Sequence, residues 1–239
     1  MLKRVLQIWR FVRAGYTLTI VLMCLYLYAD SVAKPVYLYA SQPGRVTFDQ
    51  DREGGNPFAS ALIELLARRS ITFATFQTDL ITLTRQKSRG LQDPDVVGGD
   101  RLATWRLSPK PQTEKRVALV LVFSEYSALR NSLPGAKRDM HRVAGALRKA
   151  GFDVQAVSDP DQAMLGKIVR SFSELTTRSD VAVLYTTGHG VEVNGAIYLL
   201  PGYSRSYLDR AIELSMLASK LRARRVNLVF YGGCRNGPV

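Results

Sequence analysis

The chain has 239 residues, 46% hydrophobic and 22% charged, with a formal net charge of +13. This globular composition leaves room for one α/β domain of about 200 residues and argues against two compact ones. The positive charge lacks the basic stripe with interleaved aromatics that nucleic-acid binding needs, so no nucleic-acid partner is expected; an anionic membrane surface or an acidic substrate is the more economical use of it.

Residues 1–33 read as separate from the fold. Lys3, Arg4, Arg10 and Arg13 precede an uncharged stretch from Ala14 to Ala29, followed by ADSVA with small Ser31 and Ala33. That is the order of a secretory signal, which implies export to a periplasmic or extracellular compartment. The stretch is short for a membrane span. The alternative is an inner-membrane anchor formed by residues 14–29, giving membrane association through the N-terminal segment. Cleavage after Ala33 would remove Cys24 and leave Cys234 as the sole thiol, which excludes an intramolecular disulfide.

Pro35 to Ala40 (PVYLYA) has the run of a strand, followed by a turn at Gln42 to Gly44 and a polar loop from Thr47 to Asn56. Pro57 to Arg69 reads as a helix, with Asn56 as N-cap, Pro57 at the first position and Ala61, Leu62, Leu65 and Leu66 on one face. A second helix is expected over Phe73 to Lys87. Gly90 to Pro111 shows no clear period and reads as a linker. Val117 to Phe123 (VALVLVF) suits a strand buried on both faces. Lys137 to Ala150 is an amphipathic helix stopped by Gly151, Phe152 to Val157 a strand, Pro160 to Thr176 a helix and Asp180 to Thr187 a strand. Val191 to Leu200 reads as a β-hairpin turning on Asn194 and Gly195. Ser206 to Ala223 reads as a last helix, leading to a strand at Val226 to Tyr231. The alternation implies an α/β, three-layer sandwich with a mainly parallel central sheet and right-handed crossovers.

Two strand ends carry the chemistry. Gly188, His189 and Gly190 follow one strand; Gly232, Gly233 and Cys234 follow the next. In a parallel sheet both leave the same edge, where an imidazole can generate a thiolate and later protonate a leaving amine. Flanking glycines let the backbone N–H groups of Gly190 and Cys234 approach a developing oxyanion. The bland readings are a loop histidine and a small buried thiol. No Gly-rich dinucleotide turn or P-loop follows any strand, which argues against a nucleotide-binding module.

RVALVLVFSEY, GAKRDMHRVAGALRKAGFDV, DVAVLYTTGHGVEVNGAIYLLP and NLVFYGGCRNGP, in that order, resemble caspase-like cysteine peptidases, the clan of caspases, metacaspases and bacterial caspase homologues. The resemblance covers Arg116 to Pro238. It implies a cysteine endopeptidase working through a thioester acyl-enzyme, with His189 as general acid/base, Cys234 as nucleophile and Gly190 as an oxyanion-hole donor. It implies a protein or peptide substrate and no cofactor or metal, though some such relatives respond to calcium. The alternative is a catalytically inactive scaffold or binding module with the same fold.

The front of the chain, LYASQPGRVTFDQDREGGNPFASALIELL, is similar to the strand, turn, loop and helix that in this family ordinarily come after the cysteine. The expected organisation is therefore a small-subunit-like segment at 34–99, a linker at 100–115 and a large-subunit-like segment at 116–239. Together they would form one caspase-like domain with its halves in circularly permuted order. Gln42 to Asp49 would match the loop lining the substrate groove, making Gln42 and Asp49 candidate substrate contacts. Asp139 matches an acidic position of the family, although a first-turn helix carboxylate is an equal reading. The sequence departs from the metacaspase pattern at Gly232, where such members usually carry an acidic residue, and Leu133 stands where caspases would hold an arginine. Specificity leans to basic residues.

Overall fold

The computed structural model describes residues 32–107, 111–126, 131–203 and 210–237. The signal or anchor reading of the N-terminal segment, Cys24 included, therefore lies outside the described residues. Lys34 to Val239 form one compact unit.

Among the described residues its centre is a six-stranded sheet. In chain order the strands are β1 (Pro35–Tyr39), β2 (Asp95–Val97), β3 (Arg116–Val122), β4 (Asp153–Ser158), β5 (Val181–Thr187) and, last in the chain, β9 (Val226–Tyr231). Their spatial order is β2-β1-β9-β5-β3-β4. All neighbours are parallel except β2, which runs antiparallel on β1 at the edge. β1 is in register with β9, Val36 beside Leu228 and Leu38 beside Phe230. The strand from the front of the chain thus pairs directly with the strand that leads to Cys234.

Every residue of β3, β5 and β9 is buried, which explains their unbroken apolar runs: both faces are covered. Alternate residues face opposite layers. Val120, Val183, Tyr185, Leu228 and Phe230 join a core with α1 (Pro57–Leu66), α2 (Phe73–Lys87) and α3 (Pro134–Lys149). Leu119, Leu121, Leu184, Val229 and Tyr231 join a second core with α4 (Gln162–Thr176) and the smaller elements that follow. Within the first core Phe230 of β9 packs against Phe58 of α1 and Phe76 of α2 at ring-centroid distances of 6.4 and 6.3 Å. The two sequence segments thereby share one interior.

The helix starts follow local chemistry. Asn56 accepts from the Phe58 N–H at 2.8 Å ahead of Pro57, Thr72 caps α2 and Asp161 caps α4. The hairpin of β6 (Gly190–Val193) and β7 (Ala196–Leu199) turns on Asn194 and Gly195, at φ 51 and 79°, as the sequence indicated.

Two expectations are corrected. The presumed linker contains β2 and a short 3-10 turn at Asp100–Leu102, because Asp95 to Val97 completes the edge of β1 through backbone pairing that three residues cannot announce by periodicity. The last helix is far shorter. Ile212–Glu213 forms β8 against β7, and among the described residues of that stretch only Leu214–Ala218 is helical (α5) before the chain enters β9.

Candidate active site

Parallel β5 and β9 are neighbours, and both end at the same edge, with Tyr185 beside Phe230 and Thr186 beside Tyr231. Past those ends the chain carries His189 and Cys234 into one cleft of 150 Å³, lined also by Thr47, Phe48, Asp49, Asn56, Leu133, Ala136, Thr187 and Gly232. Thr47 to Asn56 come from the loop after β1, so one wall of the cleft is supplied by the front of the chain.

The imidazole is held from two sides. Its Nε2 lies 2.8 Å from the backbone carbonyl of Asn131, and the His189 backbone N–H donates to the Tyr126 hydroxyl at 2.9 Å. The Tyr126 ring meets the imidazole edge-on at 4.5 Å between centroids. A carbonyl can only accept, so Nε2 carries the proton and the neutral ring keeps its lone pair on Nδ1.

The thiol is partnered by Thr47. The Thr47 backbone N–H donates to Sγ at 3.3 Å, its hydroxyl lies 3.6 Å from the sulfur, and that hydroxyl also contacts the Gly232 carbonyl at 3.2 Å. Arg235, the next residue along, clamps the turn. Its guanidinium pairs with Glu192 at 2.8 Å and Asp95 at 2.9 Å, donates to the Ser41 carbonyl and lies over the Tyr39 ring at 4.2 Å. Its backbone N–H donates to the Arg45 carbonyl and its carbonyl accepts from Gly44. The segment around Cys234 is therefore tied to β1, β2 and β6 at once.

Ladder parity places the Gly190 N–H. His189 and Leu200 form a hydrogen-bonded pair, so Gly190 and its partner Leu199 are a non-bonded pair, and the Gly190 N–H points away from β7. On that same side the Glu192 N–H donates to the Asn236 carbonyl. A side chain at Gly190 would overlap the Tyr231 hydroxyl, which itself donates to the Cys234 carbonyl at 3.0 Å. Glycine is what allows this close approach.

The remaining candidates serve the frame. Asp49 lines the cleft and accepts from the Gly135 and Ala136 N–H groups at 2.8 and 2.9 Å, capping α3 from a distant part of the chain. Asp139 is fully buried and does not line the cleft; it accepts from the Asn56 N–H at 2.8 Å and pairs with Arg142 at 3.0 Å. Burial pushes its carboxyl up to about 7, outweighing the lowering by the Asn56 N–H and Arg142. Gln42 donates to the Pro94 carbonyl at 3.0 Å and joins the β1 loop to the approach to β2. Gly232 gives its carbonyl to Thr47 and Asn56, and a Cβ there would lie 2.9 Å from the Thr187 hydroxyl. Thr47, Tyr126 and Asn131 escaped sequence reasoning, since irregular loops bring them to the site. For Arg235 the only available signal was adjacency to the cysteine.

Among the described residues no group of three or more His, Cys, Asp or Glu side chains is placed to hold a metal ion. No curated protein matches the chain. The peptidase C14 family model, the caspase domain, matches residues 115–238, just over half of the chain, and takes in both His189 and Cys234. The chain belongs to the caspase-domain family.

Proposed function

We propose that the chain is a cysteine endopeptidase in which Cys234 is the nucleophile and His189 the general acid and base. The observation that supports this best is the convergence of the two side chains, from the ends of adjacent parallel strands, on one cleft, with Asn131 fixing the imidazole tautomer.

The chemistry follows from that arrangement. Nδ1 takes the thiol proton, and the Thr47 N–H favours the resulting thiolate. Sulfur attacks the scissile carbonyl carbon and the π electrons move to oxygen, where the N–H groups of Gly190 and Cys234 meet the charge. Collapse breaks the C–N bond, the imidazolium gives its proton to the departing amine, and a thioester remains. Water, deprotonated by His189, attacks the thioester, and the thiolate leaves with the acid product released.

Among the described residues lining the cleft Asp49 is a carboxylate and none is Lys or Arg, which fits a basic residue of a protein or peptide substrate at the scissile bond. The domain is circularly permuted in this reading: residues 34–99 supply the strand, loop wall and helices that in relatives follow the cysteine. The parallel pairing of β1 with β9 supports it. Residues 1–33 would export the protein, or residues 14–29 would anchor it.

A second reading, an inactive scaffold, draws support from the thiol's contact with Thr47 in place of the imidazole and from Gly232. Labelling with a peptide chloromethyl ketone bearing a terminal arginine at neutral pH separates the two. A peptidase gives a Cys234 adduct that forms at least about a hundredfold more slowly in His189→Ala. No adduct, or one indifferent to His189, leaves the scaffold.

A further inference from the structure

The basic residues look scattered along the sequence, but the topology gathers many of them. β1, β9, β5, β3 and β4 start within a residue of common register, Pro35 beside Asn227, Val181 beside Val226, Arg116 beside Val181 and Val117 beside Asp153. Their first residues therefore lie along one edge, opposite the catalytic end. Lys34, Lys115, Arg178, Arg222, Arg224 and Arg225 lie just before strand starts on that edge, and all are exposed. The backbone confirms their adjacency: Asp180 N–H donates to the Lys115 carbonyl, Arg225 N–H to the Asp180 carbonyl and Arg224 N–H to the Ser179 carbonyl. α3 returns antiparallel to the strands and contributes exposed Arg148 and Lys149 at its C-terminal end.

Acidic groups at this edge offset about half of that charge and leave it net positive. Glu114 is buried with Arg116 and also meets Arg225, and Asp180 is held by Arg224 and the Lys115 N–H. Asp100, Asp153 and Glu174, the last beside Leu175 in the final turn of α4, are exposed at the same edge. Across the five parallel strands the edge spans roughly 20 Å, wide enough to present several charges to one flat surface at once.

We propose that this edge of the sheet docks on an anionic phospholipid surface, holding the catalytic cleft on the side facing away from the bilayer. Charge complementarity is the first argument; each Lys or Arg close to an anionic leaflet strengthens binding about fivefold. Chain order is the second. Lys34 leads into β1 at this edge, and only Asp30 to Ala33 separate it from the uncharged stretch Ala14 to Ala29. Apolar Leu175, 44% exposed, stands beside Arg178 at the end of α4. Among the described residues the one exposed aromatic, Phe48, is at the opposite, catalytic end, so the edge offers no stacking platform for bases.

The test titrates the full chain with vesicles of phosphatidylcholine, with and without roughly one quarter phosphatidylglycerol, at about 0.1 M and 0.5 M salt. Two triple variants with equal change in net charge are compared. Lys149→Glu/Arg178→Glu/Arg222→Glu reverses the edge at side chains that make no ion pair within the described residues; Arg45→Glu/Arg52→Glu/Arg89→Glu reverses the catalytic end. The wild type should prefer anionic vesicles at least about tenfold at low salt and lose that preference at high salt. The edge variant should lose most of it and the catalytic-end variant should keep it.

Equal loss in both variants, a preference that survives high salt, or tighter binding to duplex DNA than to anionic vesicles would overturn the proposal. If thermal melting shows the edge triple to be unfolded, Arg178→Glu alone decides: about a fivefold loss supports docking and no loss refutes it.

Discussion

Asp139 illustrates how context rewrites a residue. The sequence offers a helix carboxylate that could face a substrate, whereas the fold removes it from water and spends it on the Asn56 N–H and Arg142. Asn56 in turn donates to the Phe48 and Gly232 carbonyls, so Asp139 acts on the cleft through the loop that forms its wall. Burial raises its native carboxyl from the ordinary 3.8 to about 7, so the native chain holds the extra proton between those values. This group's contribution to stability therefore falls as pH rises through that window and is level above it. Urea unfolding from pH 4 to 8 should show that loss, about 2–4 kcal/mol in all, and Asp139→Asn should flatten it. An unchanged slope in the variant would assign the pH dependence elsewhere. Gly232 has a comparable explanation. Its carbonyl binds the loop wall and its Cα faces Thr187, so an acidic side chain here would require Thr187 to shift.

At the scale of elements, α3 starts without a cap of its own. Leu133 occupies the N-cap position and contributes no side-chain bond, and Asp49 supplies the missing acceptor from the loop after β1. The negative charge also meets the positive end of the helix dipole. Asp49→Ala should lower the melting temperature by about 2–4 °C, the equivalent of a lost cap of roughly 1 kcal/mol, and Asp49→Asn by less. Calorimetry of both variants checks the order; equal melting temperatures would mean that the cap contributes nothing. The elements legible in the sequence were those with strong periodicity and local caps, such as α1 with Asn56 and Pro57, or α2 over Phe73 to Lys87. β2 and β8 were not legible, because strands of three and two residues exist only through their partners.

At the scale of the whole molecule, the halves on either side of residues 108–110 depend on each other. β1 sits between β2 and β9, Phe58 and Phe76 pack on Phe230, and Arg235 binds Asp95. A chain cut at a protease site inserted between Leu107 and Pro111 should therefore elute as one particle under native conditions and separate only in denaturant. Two separate native peaks would show that the shared interior does not hold the halves together. The same closure walls the site: the Thr47 to Asn56 loop stands beside Cys234.

The sequence by itself determined the sandwich of parallel strands, the strand-end placement of His189 and Cys234 and the hairpin at Asn194 and Gly195, because buried runs, glycine turns and caps are local signals. Only the tertiary structure decided that Thr47 partners the thiol, that Asn131 sets the imidazole tautomer, that Asp139 supports the wall from behind, and that scattered arginines share one edge. Each of those depends on segments far apart in the chain, 187 residues for Thr47 and Cys234 and 58 for Asn131 and His189, and no local pattern encodes which distant backbone group will arrive.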